Sequence, residues 1–203
     1  MAPQPDRTQY FILSPAAGAS NSITPASASP ATSRLTIGVG PIRFPDYLKR
    51  PGVVTRAASN RLMVSDSSRW AEPLDRNFEG TLSQNLSSML GTQKIVNFPW
   101  YADTHVDYQV AVWVSRFETS EDGRSQLSAV WTINSGQNGN ELASGQASAS
   151  APVQAGDGGP SAALSQDLAE MSRQIADRIT QLSAMQKSGA ALLKTPIQHG
   201  RNG

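Results

Sequence analysis

The longest run of alternating apolar and polar residues lies between positions 105 and 117. Its apolar members occupy every second position, at Val106, Tyr108, Val110, Val112 and Val114. Because successive side chains of a strand point to opposite faces, this pattern predicts a strand with one face in the core. Trp113 falls on the opposite, polar face with Asp107, Gln109 and Ser115, where so large an apolar side chain needs cover from a helix or a neighbour.

Two more alternating segments follow this strand. The first has an apolar residue at every other position from Leu127 to Ile133, and the second is a weakly apolar run over residues 142–150. The segments are separated by Glu121-Asp-Gly123 and by the Gly- and Asn-rich residues 136–140, which are typical of tight turns. The three segments therefore predict an antiparallel meander.

Two other segments show the periodicity of helices. In the first, an apolar residue recurs every four positions, at Leu74, Phe78, Leu82, Leu86 and Leu90. Gly91 then supplies the left-handed residue that ends many helices. In the second, a single apolar seam runs through Leu164, Leu168, Met171, Ile175, Ile179 and Leu182. Burial of six such side chains, at roughly 1.5–3 kcal/mol each, is sufficient to dock this helix on a sheet.

Weaker signals complete the set of elements. Residues 8–13, 35–40 and 93–98 are typical of short strands, and residues 53–64 of a hairpin. Residues 41–51 include three prolines, which predict a defined connector rather than a strand or a helix. Together these elements predict the α+β class: a mostly antiparallel sheet with two main helices packed on one face.

The distribution of small and polar residues suggests one domain with flexible ends. We expect residues 1–7 to be a flexible tether, residues 8–190 a single α+β domain and residues 191–203 a flexible tail. Residues 14–33 consist almost wholly of Ser, Ala, Pro, Thr, Gly and Asn. Such a segment buries too little apolar surface to offset an ordering entropy of about 1–2 kcal/mol per residue, so it predicts a mobile low-complexity loop.

Composition excludes several classes of function. The chain has 203 residues and a formal net charge of +1, without the electrostatic footprint of a duplex-binding protein, so we expect no nucleic-acid partner. It contains no cysteine, which rules out disulfides, thiolate metal sites and a cysteine nucleophile. No apolar run approaches the roughly 20 residues of a membrane-spanning helix.

Candidate chemistry is sparse. Asp103, His105 and Asp107 are spaced i, i+2 and i+4, which would place them on one face of a strand, so a metal-dependent or hydrolytic site is one interpretation. The other is the solvated rim of an antiparallel strand, which the low specificity of the spacing favours. Gly38-Val-Gly40 leads into a proline rather than a helix, so it does not predict a phosphate loop. We therefore expect no catalytic residue, no cofactor and no metal.

Several aromatic and arginine residues lie beside rigid, proline-containing loops. Trp, Tyr and Arg are frequent anchors of protein interfaces, so these residues are candidates for a partner or oligomer interface. The candidates are Tyr47, Leu48, Arg50, Arg69, Trp70 and Trp100. The alternative for both tryptophans is that they close the ends of the core, because aromatic side chains dominate cores as well.

The order of several motifs carries a family resemblance. The motifs are Leu35-Thr-Ile-Gly-Val-Gly-Pro-Ile-Arg-Phe-Pro-Asp-Tyr-Leu-Lys-Arg-Pro51, Arg69-Trp-Ala-Glu-Pro-Leu74, Phe98-Pro-Trp100, and Tyr108-Gln-Val110 followed by Arg116-Phe-Glu118. In this order they resemble the ABC-type transport auxiliary lipoproteins, the PqiC (YmbA) family. The resemblance extends from about residue 8 to residue 185.

This resemblance implies a non-enzymatic lipoprotein anchored in the outer membrane and facing the periplasm. It implies an MCE-domain protein of the same lipid-transport system as partner, and a homo-oligomer such as a ring. Family precursors carry a signal peptide ending in a lipidated cysteine, which is absent here, so residues 1–7 would correspond to the tether that follows it. Two alternatives stay open: a small metal-dependent or hydrolytic periplasmic enzyme, and a monomeric lipid-binding adaptor.

Overall fold

Eight strands and two long helices build the structure, which is a computed structural model describing residues 7–16, 32–101, 103–156 and 158–192. The strands are β1 (Gln9–Phe11), β2 (Ile37–Arg43), β3 (Gly52–Ala58), β4 (Arg61–Trp70), β5 (Ile95–Asn97), β6 (Tyr108–Ser120), β7 (Ser125–Ser135) and β8 (Glu141–Ala149). The helices are α1 (Leu74–Leu90) and α2 (Gly159–Leu192), and a short 3-10 helix covers Asp46–Lys49.

All eight strands belong to one sheet, in which β6 is the central strand. The meander β6–β7–β8 is antiparallel throughout, as predicted, and β3 and β4 form the predicted hairpin. The other edge of β6 is shared, because β2 pairs with its first half and β3 with its last two residues. Beyond them, β5 pairs with β2 and β1 pairs with β4.

The fold class is confirmed as α+β, with a mostly antiparallel sheet and two main helices. The two longest ladders, β6–β7 and β7–β8, are antiparallel, as is the β3–β4 hairpin, whereas β2 is parallel to both of its neighbours, β1 is parallel to β4 and β3 is parallel to β6. Both helices cover the same face of the sheet, α1 against β2 and β5 and α2 against β6, β7 and β8, and they pack on each other.

The apolar positions that predicted the helices form the core. In α1 all five members of the stripe are buried, and Gly91 ends the helix in the left-handed conformation with φ of 66°. In α2 the seam is buried from Leu164 to Ile179, and Leu182 packs against its end. From β6, the side chains of Val110, Val112 and Phe117 meet these helices.

The described ends of the segment 14–33 are fixed to the helices. The backbone N–H groups of Ser14 and Ala16 donate to Ser165 Oγ at 3.0 Å and to Asn85 Oδ1 at 2.8 Å. At the other end Thr32 is buried and its hydroxyl donates to the carbonyl of Leu90 at 2.7 Å. The rest of the expected loop, residues 17–31, lies outside the described residues, as do residues 1–6 of the tether and residues 193–203 of the tail.

Two predictions about local structure are wrong. Residues 41–43 continue β2 instead of starting a connector, and β4 continues past residue 64, where the predicted hairpin ends, as far as Trp70. In both cases pairing with a distant strand imposes the extended conformation, Arg43 with Trp113 and Trp70 with Phe11. No helix within the described ranges combines the length and the apolar character needed to cross a bilayer.

Candidate docking surface

One face of the sheet is not covered by any helix of the described residues, and this face carries the exposed apolar residues of the meander. We call it the open face: the side chains of β6, β7 and β8 that point away from α1 and α2, with Arg43 of β2. Its members are Arg43, Gln109, Ala111, Trp113, Arg116, Glu118, Gln126, Ser128, Val130, Thr132, Asn134, Ser144, Gln146 and Ser148. They are mostly small or polar, because successive side chains of a strand point to opposite faces and the apolar residues of these strands point towards the helices.

Trp113 and Val130 lie at the centre of the open face. They are directly opposite each other on β6 and β7, and Gln146 of β8 continues the row. Their exposed fractions are 43% and 46%, large values for apolar side chains in the middle of a sheet. Neither α1 nor α2 therefore provides the cover that the sequence requires for Trp113.

Arg43 of β2 packs against one face of the Trp113 indole. It is opposite Trp113 in the parallel ladder, and its guanidinium carbon lies 5.4 Å from the centre of the indole ring. At this distance a cation is attracted to the face of the ring. Arg43 therefore holds the indole in a fixed orientation while leaving nearly half of it accessible.

The loop after β5 adds a second group of aromatic residues on the same side of the sheet. Ile37 and Val39 are buried against the helices, so Gly38 between them faces the open side, where Trp100 packs on it. A Cβ atom at Gly38 would lie 2.7 Å from Cη2 of Trp100, so the indole needs glycine at this position. Phe98 meets Trp100 edge to face with ring centroids 5.5 Å apart.

The other end of the open face is closed by a buried ionic network. Glu118 is 1% exposed, and its Oε1 accepts a hydrogen bond from Arg56 Nε at 2.6 Å. The Tyr47 hydroxyl donates to Glu118 Oε2 at 2.5 Å and lies 3.2 Å from the Ser115 carbonyl. Burial, with the Glu118 carboxylate as a second cause, raises the pKa of Tyr47 above its ordinary value. The network fixes the 3-10 helix to β3 and β6.

The six interface candidates are not brought together on one surface. Leu48 is 1% exposed and belongs to the core, so the structure corrects its proposed surface role. Trp70 is 6% exposed and is also a core residue, in agreement with the alternative considered for it. Arg50 and Arg69 are exposed, and the Arg69 Nε donates to the carbonyl of Asp66 at 3.3 Å.

Tyr47 and Trp100 are partly buried but remain at the rim of the open face. Tyr47 uses its hydroxyl within the chain, through the bond to Glu118. Trp100 uses one side of its indole to cover Gly38. Of the six candidates these two lie nearest to the open face, whose own centre, Trp113 and Val130, was not among them.

Asp103, His105 and Asp107 do not form a metal-binding group. β6 begins only at Tyr108, so the three residues lie in the preceding loop rather than on one strand face. His105 Nε2 is 3.3 Å from Asp107 Oδ1, but the other oxygen of Asp107 accepts the backbone N–H of Thr36 at 2.7 Å. Within the described part of the chain, no three His, Asp or Glu side chains converge as metal ligands.

A buried carboxyl group that the sequence analysis missed lies on the sheet-facing side of α2. Asp167 is 1% exposed, and among the described residues its Oδ2 has no hydrogen-bond partner. Burial raises its pKa to about 6, although a hydrogen bond with Ser125 and the charge of Arg124 act in the opposite direction. Asp167 comes three residues after Leu164 and four residues before Met171, which places it on the apolar seam of α2. This spacing is the sequence signal that could have predicted its burial.

We expect Asp167→Asn to stabilise the protein at neutral pH. The pKa is about 6 in the folded chain and about 3.8 in the unfolded chain, so the folded state binds the proton more tightly. The wild type therefore loses stability as pH rises from about 4 to 6, and the variant does not. Urea denaturation should give a gain of about 1 kcal/mol at pH 7.5 and little change at pH 4. An equal gain in the free energy of unfolding at both pH values would contradict the explanation that the raised pKa of Asp167 causes it.

Comparisons with known proteins agree with this fold. The family model described as ABC-type transport auxiliary lipoprotein component matches residues 20–176. The intermembrane transport lipoprotein PqiC of Escherichia coli (strain K12) is 29% identical over 93 residues, which cover 46% of this chain and 48% of that protein. The chain thus matches about half the length of this curated relative, and the same values hold for PqiC of Shigella flexneri.

Two solved structures share the architecture. A protein from Xanthomonas campestris superposes with a TM-score of 0.68 at 16% identity, covering 90% of this chain and 99% of that one. An uncharacterised protein superposes with a TM-score of 0.66 at 23% identity, covering 85% and 98%. The structures support the fold, and the family model spans most of the chain: this protein belongs to the ABC-type transport auxiliary lipoprotein family as a PqiC-like member.

Proposed function

We propose that this protein is a non-enzymatic, outer-membrane-anchored periplasmic lipoprotein of an MCE-type intermembrane lipid-transport system. In this role it is a docking or conduit component that binds an MCE-domain protein of the same system. Membership of the transport auxiliary lipoprotein family supports this class of function, as does the name of the PqiC relatives.

The observation that carries the docking role is the open face. A tryptophan and a valine, each more than two-fifths exposed, lie at the centre of a surface whose other members are small or polar. An apolar centre with a polar rim is the usual organisation of a protein interface, and tryptophan is prominent among residues that dominate binding energy. The stack with Arg43 reduces the entropy that Trp113 loses on binding.

Replacing Trp113 with alanine is expected to weaken binding to the MCE-domain partner by about 10- to 100-fold. The indole is accessible in the free protein, so its removal takes away contact area without opening a cavity in the core. Binding is measured with the purified partner by biolayer interferometry. Met185→Ala is the control, because Met185 is an apolar side chain on α2 that is even more accessible than Trp113, at 64% exposed. Equal affinities of the two variants would contradict a docking role for the open face.

Self-assembly into a homo-oligomer is the second part of the proposal. The chain has a mass of 21.6 kDa, so light scattering on a size-exclusion column distinguishes a monomer from any larger assembly. A discrete multiple of this mass supports assembly. Self-assembly would be contradicted if light scattering gave the mass of one chain at every concentration and cross-linking on lipid bilayers also gave only single chains.

A further inference from the structure

Two arginines flank Trp113 on the open face, and neither has a carboxylate partner among the described residues. Arg43 lies opposite Trp113 on β2. Arg116 pairs with Ser128, two positions along β7 from Val130, so it is the next side chain of β6 after Trp113 on this face. The exposed indole at the centre of the open face is therefore bordered by positive charge on two sides.

Most N–H groups of these two guanidinium groups are unused within the described part of the chain. Arg43 is held by its stack on the Trp113 ring and donates no hydrogen bond to a described residue. Arg116 donates from Nη1 to the side-chain oxygen of Gln126 at 2.9 Å and makes no other hydrogen bond there. A guanidinium carries its N–H donors in a planar fork. Both side chains are thus positioned, with donors left for an acceptor outside the chain.

The acidic groups of the open face do not balance these arginines. Glu118 is buried and is already neutralised by Arg56, at 2.6 Å. Asp107 precedes β6, and Glu141 pairs with Asn134, so both lie where β6 begins, at the opposite end of that strand from Arg116. The centre of the open face therefore has a positive potential, and the part of a partner that covers it should be negative.

We propose that the open face binds an acidic segment of its protein partner. Carboxylate groups of that segment contact Arg43 and Arg116, and an apolar side chain between them packs on Trp113 and Val130. A carboxylate matches the planar fork of a guanidinium and accepts two parallel hydrogen bonds from it. The inference rests on the proposed docking function and deepens it, because it names the chemistry that the partner presents.

The composition of the open face favours a protein over an anionic lipid surface as the occupant. A lipid phosphate would also fit a guanidinium. However, the rows around Trp113 and Val130 consist of hydroxyl and amide side chains that need hydrogen-bond partners once water is removed. Acyl chains offer none, whereas a polypeptide backbone does. The side chains concerned are Ser128, Thr132, Ser144, Gln146 and Ser148.

Charge reversal tests the proposal on the folded protein. Since Arg116 has no carboxylate partner in the described chain, its replacement leaves no buried charge unpaired, and the circular dichroism spectrum should not change. In biolayer interferometry with the purified MCE-domain partner, we expect Arg116→Glu to weaken binding at least about tenfold, and its combination with Arg43→Glu about 100-fold.

Arg76→Glu is the matched control for the change in net charge. Arg76 is exposed on α1, which packs on the other face of the sheet. Its reversal should change the affinity by less than about threefold, because an exposed charge far from the contact is screened by salt. Equal weakening by Arg116→Glu and Arg76→Glu overturns the proposal.

Salt dependence and lipid binding distinguish an acidic protein segment from a membrane. The association rate of the wild type with the partner should fall as NaCl is raised, and the double variant Arg43→Glu with Arg116→Glu should lose most of this dependence. Vesicles of phosphatidylglycerol are tested in the same way. If the two arginines are needed for vesicle binding but not for partner binding, the occupant is a lipid surface and the proposal is overturned.

The variants also separate this inference from the docking function on which it rests. If Trp113→Ala weakens partner binding and the arginine variants do not, the acidic segment is wrong while docking at the open face stands. If neither Trp113→Ala nor the arginine variants weaken binding, docking at the open face is wrong as well.

Discussion

Replacing Phe78 with alanine is expected to lower the free energy of unfolding by about 3–5 kcal/mol. Phe78 is fully buried and lies at the centre of three packed aromatic rings. Its ring meets Phe44 and Phe117 edge to face, with centroids 5.1 and 5.2 Å away. The substitution removes both contacts and leaves a cavity where α1, β6 and the segment after β2 meet.

Urea denaturation followed by circular dichroism measures this loss. Phe98→Ala is the matched control, since it removes the same side chain from a site that is 47% exposed. We expect the control to cost at most about 1 kcal/mol, because solvent already surrounds much of that ring. A cost for Phe78→Ala no larger than for Phe98→Ala would show that the three rings do not form the centre of the core.

The elements that the sequence predicts best are those whose pattern is local and long. The stripe from Leu74 to Leu90 repeats five times and ends at a glycine that takes the left-handed conformation. The alternation in β6 survives one irregularity between Val114 and Arg116, after which Phe117 returns to the buried face. In both elements the same residues that determine the local conformation also build the core, so the pattern and the fold agree.

The parts that the sequence did not predict depend on contacts between distant residues. Proline and turn-type residues in 41–51 obscured the continuation of β2, which exists because Arg43 pairs with a strand some 70 positions away. Leu48 lies between the partly buried Tyr47 and the exposed Lys49, and the packing of the 3-10 helix on α1 makes it a core residue. Local propensity contains no information about such partners.

The candidate site was partly visible in the sequence. Trp113 stands out as a large apolar side chain on the polar face of a strand, and the structure leaves it accessible rather than covered. The pattern could not show that both helices pack on the face of the sheet opposite Trp113, or that Arg43 stacks on the indole. The interface candidates chosen by their proximity to prolines were, by contrast, divided between the core and the surface.

Replacing Glu118 with alanine is expected to lower the free energy of unfolding by about 3–5 kcal/mol, the other large effect. Glu118 is the shared partner of two buried groups, the Arg56 guanidinium and the Tyr47 hydroxyl. Its removal leaves a cation with only 19% of its side chain exposed and no carboxylate to neutralise it. The cost comes mainly from the partly desolvated Arg56 cation that loses its counter-charge, because Arg56 keeps the Ser59 carbonyl and Tyr47 keeps the Ser115 carbonyl as hydrogen-bond acceptors.

Denaturation in urea measures the loss, and Glu121→Ala is the control. Glu121 lies on the same hairpin, but its ion pair with Arg61 is long, at 3.9 Å, and exposed on both sides, so its removal should cost less than about 1 kcal/mol. Equal costs for the two variants would mean that water reaches the Glu118 network as freely as it reaches the surface pair.

A tyrosine titration separates this network from a general loss of stability. Burial, with the carboxylate of Glu118 as a second cause, raises the pKa of Tyr47, so Glu118→Gln should lower that pKa part of the way towards its ordinary value near 10 while retaining the side-chain volume. Absorbance at alkaline pH detects the change.

Because Tyr47 also contacts Ser115, two residues from Trp113, a released 3-10 helix would disturb the rim of the open face as well. Glu118→Gln should therefore weaken partner binding less than Trp113→Ala does, and a larger effect would place the docking centre at Tyr47 instead.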